Sequence, residues 1–227
     1  EYCDSRFTDN PSAVSTAMYY PVYPAAEIDE SSEQFKAFGM TAKRKAATSV
    51  GAQSAQSLIA YANVFTHLGE GAVAMEILTN IVRCMAMNNL IIASSDWRGM
   101  GIAATDIWAG YSIEGNTGLT GVVQDMIVQS KSDSIRLLPS LPDSLPKGDM
   151  TGLQTRTGAE LSVNWDIKRG VVIAKIKSRK AKTVNVVLPK GAKKMKSVGE
   201  KSIDYATGLV TGLPLPAGKV VTLDIRL

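Results

Sequence analysis

Leu161-Ser162-Val163-Asn164-Trp165 alternates apolar and polar residues, and Val171-Val172-Ile173-Ala174-Lys175-Ile176-Lys177 settles into the same alternation. A period of two puts apolar side chains on one face of a strand and polar ones on the other. Between the two stretches, Asp166-Ile167-Lys168-Arg169-Gly170 has the residues of a hairpin turn. Val184-Asn185-Val186-Val187-Leu188 and Val220-Val221-Thr222-Leu223-Asp224-Ile225 have strand composition, and Ile203-Asp204-Tyr205 is a short candidate strand. The C-terminal third therefore reads as a small antiparallel β-sandwich.

Toward the N-terminus the period changes. Pro139, Pro142 and Pro146 punctuate a connector, and before it apolar residues recur at helical spacing. Ala55, Leu58, Ile59, Ala62 and Phe65 share one face of a helix expected over 52–67. Gly69 supplies its stop. A further helix is expected over 71–87, with Met75, Leu78, Ile81, Val82 and Met85 on one side, and the short Leu68-Gly69-Glu70 link implies antiparallel packing. Glu30-Ser31-Ser32-Glu33 resembles the start of an earlier helix that ends at Lys43-Arg44-Lys45, and a later one is expected over 119–130. The first 28 residues are broken by Asn10-Pro11, Tyr20-Pro21 and Tyr23-Pro24. The whole is an α+β, multidomain chain, with an incomplete helical array followed by the β-domain.

Composition bounds the function classes. Of the 227 residues, 45% are hydrophobic and 20% charged, as in ordinary globular proteins. No apolar run reaches the roughly 18 residues of a membrane span. Residues 1–150 carry 10 Lys+Arg and 16 Asp+Glu, whereas residues 151–227 carry 15 and 5. That change of sign places an expected boundary near Met150, giving domains 1–150 and 151–227. Twelve Lys/Arg between Lys168 and Lys201 face one acid, Glu200. Such a run invites a nucleic-acid reading. Because it lies on alternating strands with few aromatics, a solvated outer face is the preferred reading, with no nucleic-acid partner.

Two cysteines, Cys3 and Cys84, make neither a disulfide scaffold nor a zinc site and read as free or buried thiols. A single histidine, His67, excludes a multi-His metal cluster, and its place at a helix end suits a dipole contact. No metal and no cofactor are expected. Glu1-Tyr2-Cys3-Asp4 lacks an initiator Met and any leader pattern, so the chain is expected to begin inside a longer protein or after processing.

The long segment 88–116 is rich in Gly, Asp and Trp, and a connection of that length is usually functional. It holds Asp96-Trp97-Arg98, Trp108 and then Ile113-Glu114-Gly115-Asn116. Aromatic faces stack on sugars, while Asp and Arg bind hydroxyls. The structural alternative for these residues is a loop held by a buried Trp and an Asp–Arg pair, and for Glu114 and Asn116 it is capping of the helix that follows.

Ile113-Glu114-Gly115-Asn116-Thr117-Gly118, then Asp125-Met126-Ile127-Val128-Gln129-Ser130, then Ile135-Arg136-Leu137-Leu138-Pro139-Ser140-Leu141-Pro142 resembles glycoside hydrolase family 95, the α-L-fucosidases acting on α-1,2-linked fucose and some related α-L-galactosidases. Tyr20-Pro21-Val22-Tyr23-Pro24, Leu68-Gly69-Glu70-Gly71, Asn88-Asn89-Leu90 and Gly152-Leu153-Gln154-Thr155-Arg156-Thr157-Gly158 extend the resemblance over most of the chain.

The resemblance implies that the helices are the last of an (α/α)6 toroid and that catalysis proceeds with inversion. Glu114 would stand where the family has its base-side aspartate; beside it, the loop chemistry itself makes Asn116, Trp97 and Arg98 the candidate substrate-binding residues. It also implies a general acid and a water-positioning set outside this chain. The expected partners are thus a glycan substrate and the preceding part of the same protein. A secreted or periplasmic location is expected, and the isolated chain is expected to be inactive. The family's Gly-Trp-Ser stretch corresponds to Gly51-Ala52-Gln53 here, without the aromatic.

Overall fold

The computed structural model describes residues 16–30, 32–49, 53–105, 110–197 and 203–227. Cys3, Asn10-Pro11, Ser31, Gly51-Ala52, Trp108 and Glu200-Lys201 lie outside them. The chain forms two compact units, Glu1–Val123 and Gln124–Leu227.

The first unit is helical: α1 (Phe35–Ser49), α2 (Ala55–His67), α3 (Gly71–Met85) and most of α4 (Ile113–Ile127). Ser54 caps α2 by accepting from the Ser57 N–H at 3.3 Å. Gly69, with φ +77°, ends α2 in the left-handed conformation, and the Glu70 N–H donates back to the Phe65 carbonyl at 2.8 Å. α3 then returns along α2. Leu58, Ile59, Ala62 and Phe65 from α2 are buried, as are Leu78, Ile81 and Met85 from α3. Each large side chain contributes roughly 1.5–3 kcal/mol by leaving water. Val82, expected on that face, is instead exposed.

α1 starts at Phe35, later than Glu30-Ser31-Ser32-Glu33 suggested, because residues 29–32 close a turn in which the Ser32 hydroxyl accepts from the Asp29 N–H. The proline-broken segment before it is nonetheless packed. Buried Tyr19 meets Tyr61 at 5.8 Å and Phe38 at 6.3 Å, and Tyr23 meets His67 at 5.0 Å between ring centroids.

α4 begins at Ile113, not near Leu119, so Glu114 and Asn116 sit inside a helix instead of in a loop before it. The glycines explain the discrepancy. Gly115 and Gly118 cost the helix about 1 kcal/mol each in propensity. They are required by packing: a Cβ on Gly115 would lie 2.7 Å from Ile92 Cγ2, and one on Gly118 would overlap the Ile59 side chain.

The second unit is a two-sheet sandwich. One sheet joins β1 (Val128–Ser130), β2 (Ser134–Leu137), β6 (Lys182–Val187), β9 (Leu209–Leu215) and β8 (Ile203–Asp204) in that spatial order. The other joins β3 (Lys147–Gln154), β4 (Ala159–Asp166), β5 (Val171–Ser178), β10 (Val220–Arg226) and β7 (Lys194–Lys196). Pairing is antiparallel except between β2 and β6, where Ser134 faces Asn185 and Arg136 faces Val187 in parallel. That corrects the all-antiparallel expectation: β2 reaches β6 after the chain has crossed to the other sheet for β3, β4 and β5.

Buried Leu161, Val163 and Trp165 alternate with solvent-facing residues, as the period of two required. Gly148 lies under the Trp165 ring, where a Cβ would come within 2.7 Å of Cη2, and the indole N–H donates to the Leu145 carbonyl at 2.9 Å.

The compact β-unit starts at Gln124, whereas Met150 lies inside β3. The charge changes sign there because Lys175, Lys177, Lys194 and Lys196 occupy exposed strand positions, not because a linker intervenes.

Candidate functional site

One end of the helical unit gathers most of the sequence-selected residues. Ala86 and Ile92 pair across a hairpin closed by the Met87 N–H donating to Ile91 O and the Leu90 N–H donating to Met87 O. Ile92, Ala93 and Ser94 then run as a strut. Ala93 N–H donates to Met85 O at the end of α3, and Ser94 O accepts from Ala55 N–H at the start of α2. Ser112 N–H donates to Ile92 O just before α4, and Ala93 pairs with Tyr111. The starts of α2 and α4 and the end of α3 are thereby fixed to one short extended segment.

Glu114 lies in the first turn of α4, where the helix dipole favours a carboxylate. Ser112 caps that helix: its Oγ accepts from the Gly115 N–H at 3.0 Å and donates to Glu114 Oε2 at 3.3 Å. Glu114 is exposed, so its carboxylate can meet a water or a substrate hydroxyl while Ser112 orients it. Ser112 was missed in the sequence. Its signal was available, since a serine immediately before Ile113-Glu114 is a helix N-cap pattern.

Asn116 is turned inward. Its Oδ1 accepts from Ile92 N–H at 3.1 Å, and its Nδ2 donates to Ile92 O at 3.0 Å and to Ser112 O at 2.6 Å. The side chain acts as one more backbone pair on the strut.

Trp97 and Arg98 work on α3. The Trp97 indole N–H donates to Met85 O at 3.2 Å, and an Arg98 guanidinium N–H donates to Ala86 O at 2.9 Å. These supply donors to carbonyls left without helical partners, and the positive charge suits a helix C-terminus. The guanidinium carbon stands 4.9 Å from the Trp97 ring centroid. The indole nevertheless remains 42% exposed.

Asp96 is buried, and its Oδ2 accepts from the Gly101 N–H at 2.8 Å, which shapes the loop instead of presenting a carboxylate to solvent. Nearby, burial pushes the Cys84 thiol up to about 11, with the Asp96 charge adding to the effect. Among the described residues no group of three His, Cys, Asp or Glu side chains could hold a metal, and no helix is long and apolar enough to cross a membrane.

Residues 129–220 match the model for the C-terminal domain of glycoside hydrolase family 95. A curated relative, α-L-fucosidase 2 of Arabidopsis thaliana, is 39% identical over 56 residues, which is 24% of this chain and 7% of that protein. The matched stretch is therefore a small fraction of its relative's length. A β-L-arabinofuranosidase of glycoside hydrolase family 127 from Geobacillus stearothermophilus T6 aligns with 75% of this chain and 31% of its own, at 13% identity and a TM-score of 0.36. That score does not establish a common fold.

Proposed function

We propose, from the premise that residues 129–220 are a glycoside hydrolase family 95 C-terminal domain, that this chain is the C-terminal part of an inverting glycosidase that releases a terminal α-linked L-fucose or a related L-sugar. The helical unit, Glu1–Val123, would belong to the (α/α)6 catalytic toroid, and the β-unit, Gln124–Leu227, would be its C-terminal β-domain.

The observation that carries the catalytic part is the exposed Glu114 carboxylate, fixed at the start of α4 by Ser112. Inversion requires a base that activates water on one face of the sugar and an acid that protonates the leaving oxygen from the other. Glu114 is the proposed base. Ser112 orients its carboxylate, as a positioned general base needs. The acid is proposed to come from a part of the protein outside these 227 residues. Hydrolysis of an α-L-fucoside by the complete polypeptide, followed by proton NMR, tests this. β-L-Fucose should appear first. Initial α-L-fucose, or no fucose release, would refute it.

A second reading is favoured by the internal hydrogen bonds. Asn116, Trp97 and Arg98 all engage the backbone of their own unit, which suits a glycan-binding or structural relative without turnover. It predicts calorimetric binding of an oligosaccharide with no product.

A further inference from the structure

The hairpin that follows α3 carries a feature that the catalytic reading does not use. Its tip is Met87-Asn88-Asn89-Leu90, and Leu90 adopts φ +66° while 83% exposed. A leucine rarely occupies the left-handed region, and its exposed side chain gains nothing from burial there. The turn is held by backbone bonds through Met87 and Leu90 and by Asn89 Oδ1, which accepts from the Ile91 N–H at 3.2 Å. Beside it lies an open depression of about 380 Å³ lined by Met87, Asn88, Asn89 and Trp97.

Trp97 is fixed from two directions. Its N–H is held by Met85 O, and Arg98, itself bound to Ala86 O, sits over the ring. An indole immobilised in this way, partly exposed and flanked by two exposed asparagines, offers what a pyranose needs. Its C–H face stacks on an aromatic ring, and its hydroxyls both donate to and accept from amides. The volume suits a single sugar residue.

We infer that this depression is a second sugar subsite, taking the glycan residue next to the one released. Trp97 is its platform, and Asn88 supplies hydrogen bonds at its rim. The subsite is separate from the carboxylate because Trp97 is tied to the end of α3 and Glu114 to the start of α4, with the strut of Ile92–Ser94 between them. The inference rests on the glycosidase reading for the identity of the neighbouring sugar.

The test needs no turnover. This chain is titrated calorimetrically with 2′-fucosyllactose and with free L-fucose. The subsite predicts that the trisaccharide binds at least about tenfold more tightly than the monosaccharide. Asn88→Ala and Trp97→Ala should each remove most of that advantage. Asn88 is the safer variant, because the bonds that close the turn run through its neighbours. A trisaccharide bound no more tightly than fucose, or an advantage intact in Asn88→Ala, overturns the subsite. Failure of the catalytic reading would show elsewhere, as hydrolysis that survives Glu114→Gln.

Discussion

Asn116 pairs with the backbone of Ile92 through both ends of its amide, accepting from the N–H at 3.1 Å and donating to the carbonyl at 3.0 Å. A helical side chain thus completes the edge of an extended segment, and the start of α4 is registered against the strut. Asn116→Ala leaves the Ile92 N–H without its acceptor in a partly buried place, while Ile92 O keeps only the Ser112 N–H. A loss of roughly 1–3 kcal/mol is expected, visible as a drop of several degrees in thermal melting. Asn116→Asp should also destabilise, because a carboxylate can accept from Ile92 N–H but sets its second oxygen against the Ile92 and Ser112 carbonyl oxygens, acceptor facing acceptor. Unchanged melting in both variants would dissolve this tie.

Two glycines of the same helix should respond with opposite signs. Gly115→Ala drives a methyl against Ile92 Cγ2, the branch of a buried side chain that cannot swing away. Overpacking of this kind costs about 1–3 kcal/mol. Ile92→Ala should relieve part of that cost in a double-mutant cycle. Gly121 has open space at its Cβ, so Gly121→Ala should stabilise by about 0.5–1 kcal/mol through helix propensity.

Cys84 is a buried free thiol whose folded value, about 11, lies above its ordinary 9.0. In a Cys3→Ser background, iodoacetamide at pH 8 should label the folded chain slowly and the urea-unfolded chain fast. Because the folded value is raised, the unfolded thiol ionises first. Its contribution to stability is complete below about pH 9 and falls away as pH rises toward about 11. Cys84→Ser should flatten that part of the urea-midpoint profile.

In the β-unit, Gly148→Ala pushes against the Trp165 ring, which is pinned by its bond to Leu145 O. The variant should lower the melting temperature and shift Trp165 fluorescence toward the red as the ring becomes wetter. An unchanged spectrum would mean that the ring moves freely there.

Legibility in the sequence followed the physics of each element. The strands β4, β5 and β10 were readable because one face is buried and the other wet. β1 and β2 were not, since Val128–Ser130 reads as the tail of α4 and Ser134–Leu137 as a connector. β9 was hidden by Gly212 and Pro214. Gly212, at φ +64°, donates to Asn185 Oδ1 at a bulge, a need that no local pattern announces.

The Ile113–Gly118 motif was found from the resemblance, yet its glycines suggested a loop. Their real requirement is contact with Ile92 and Ile59, residues distant in sequence. Trp97 and Arg98 were marked as polar and aromatic loop residues, but their tie to the α3 terminus depends on where the chain folds back.

The proposed role of the Glu114 carboxylate is to activate the attacking water. It is tested most directly by the turnover of an α-L-fucoside by the complete protein carrying Glu114→Gln. The amide oxygen can still accept from Ser112, so the cap and the melting temperature should be kept. A fall of about two orders of magnitude or more in kcat at unchanged stability is the predicted result. Turnover within a few-fold of the unmodified protein would contradict it.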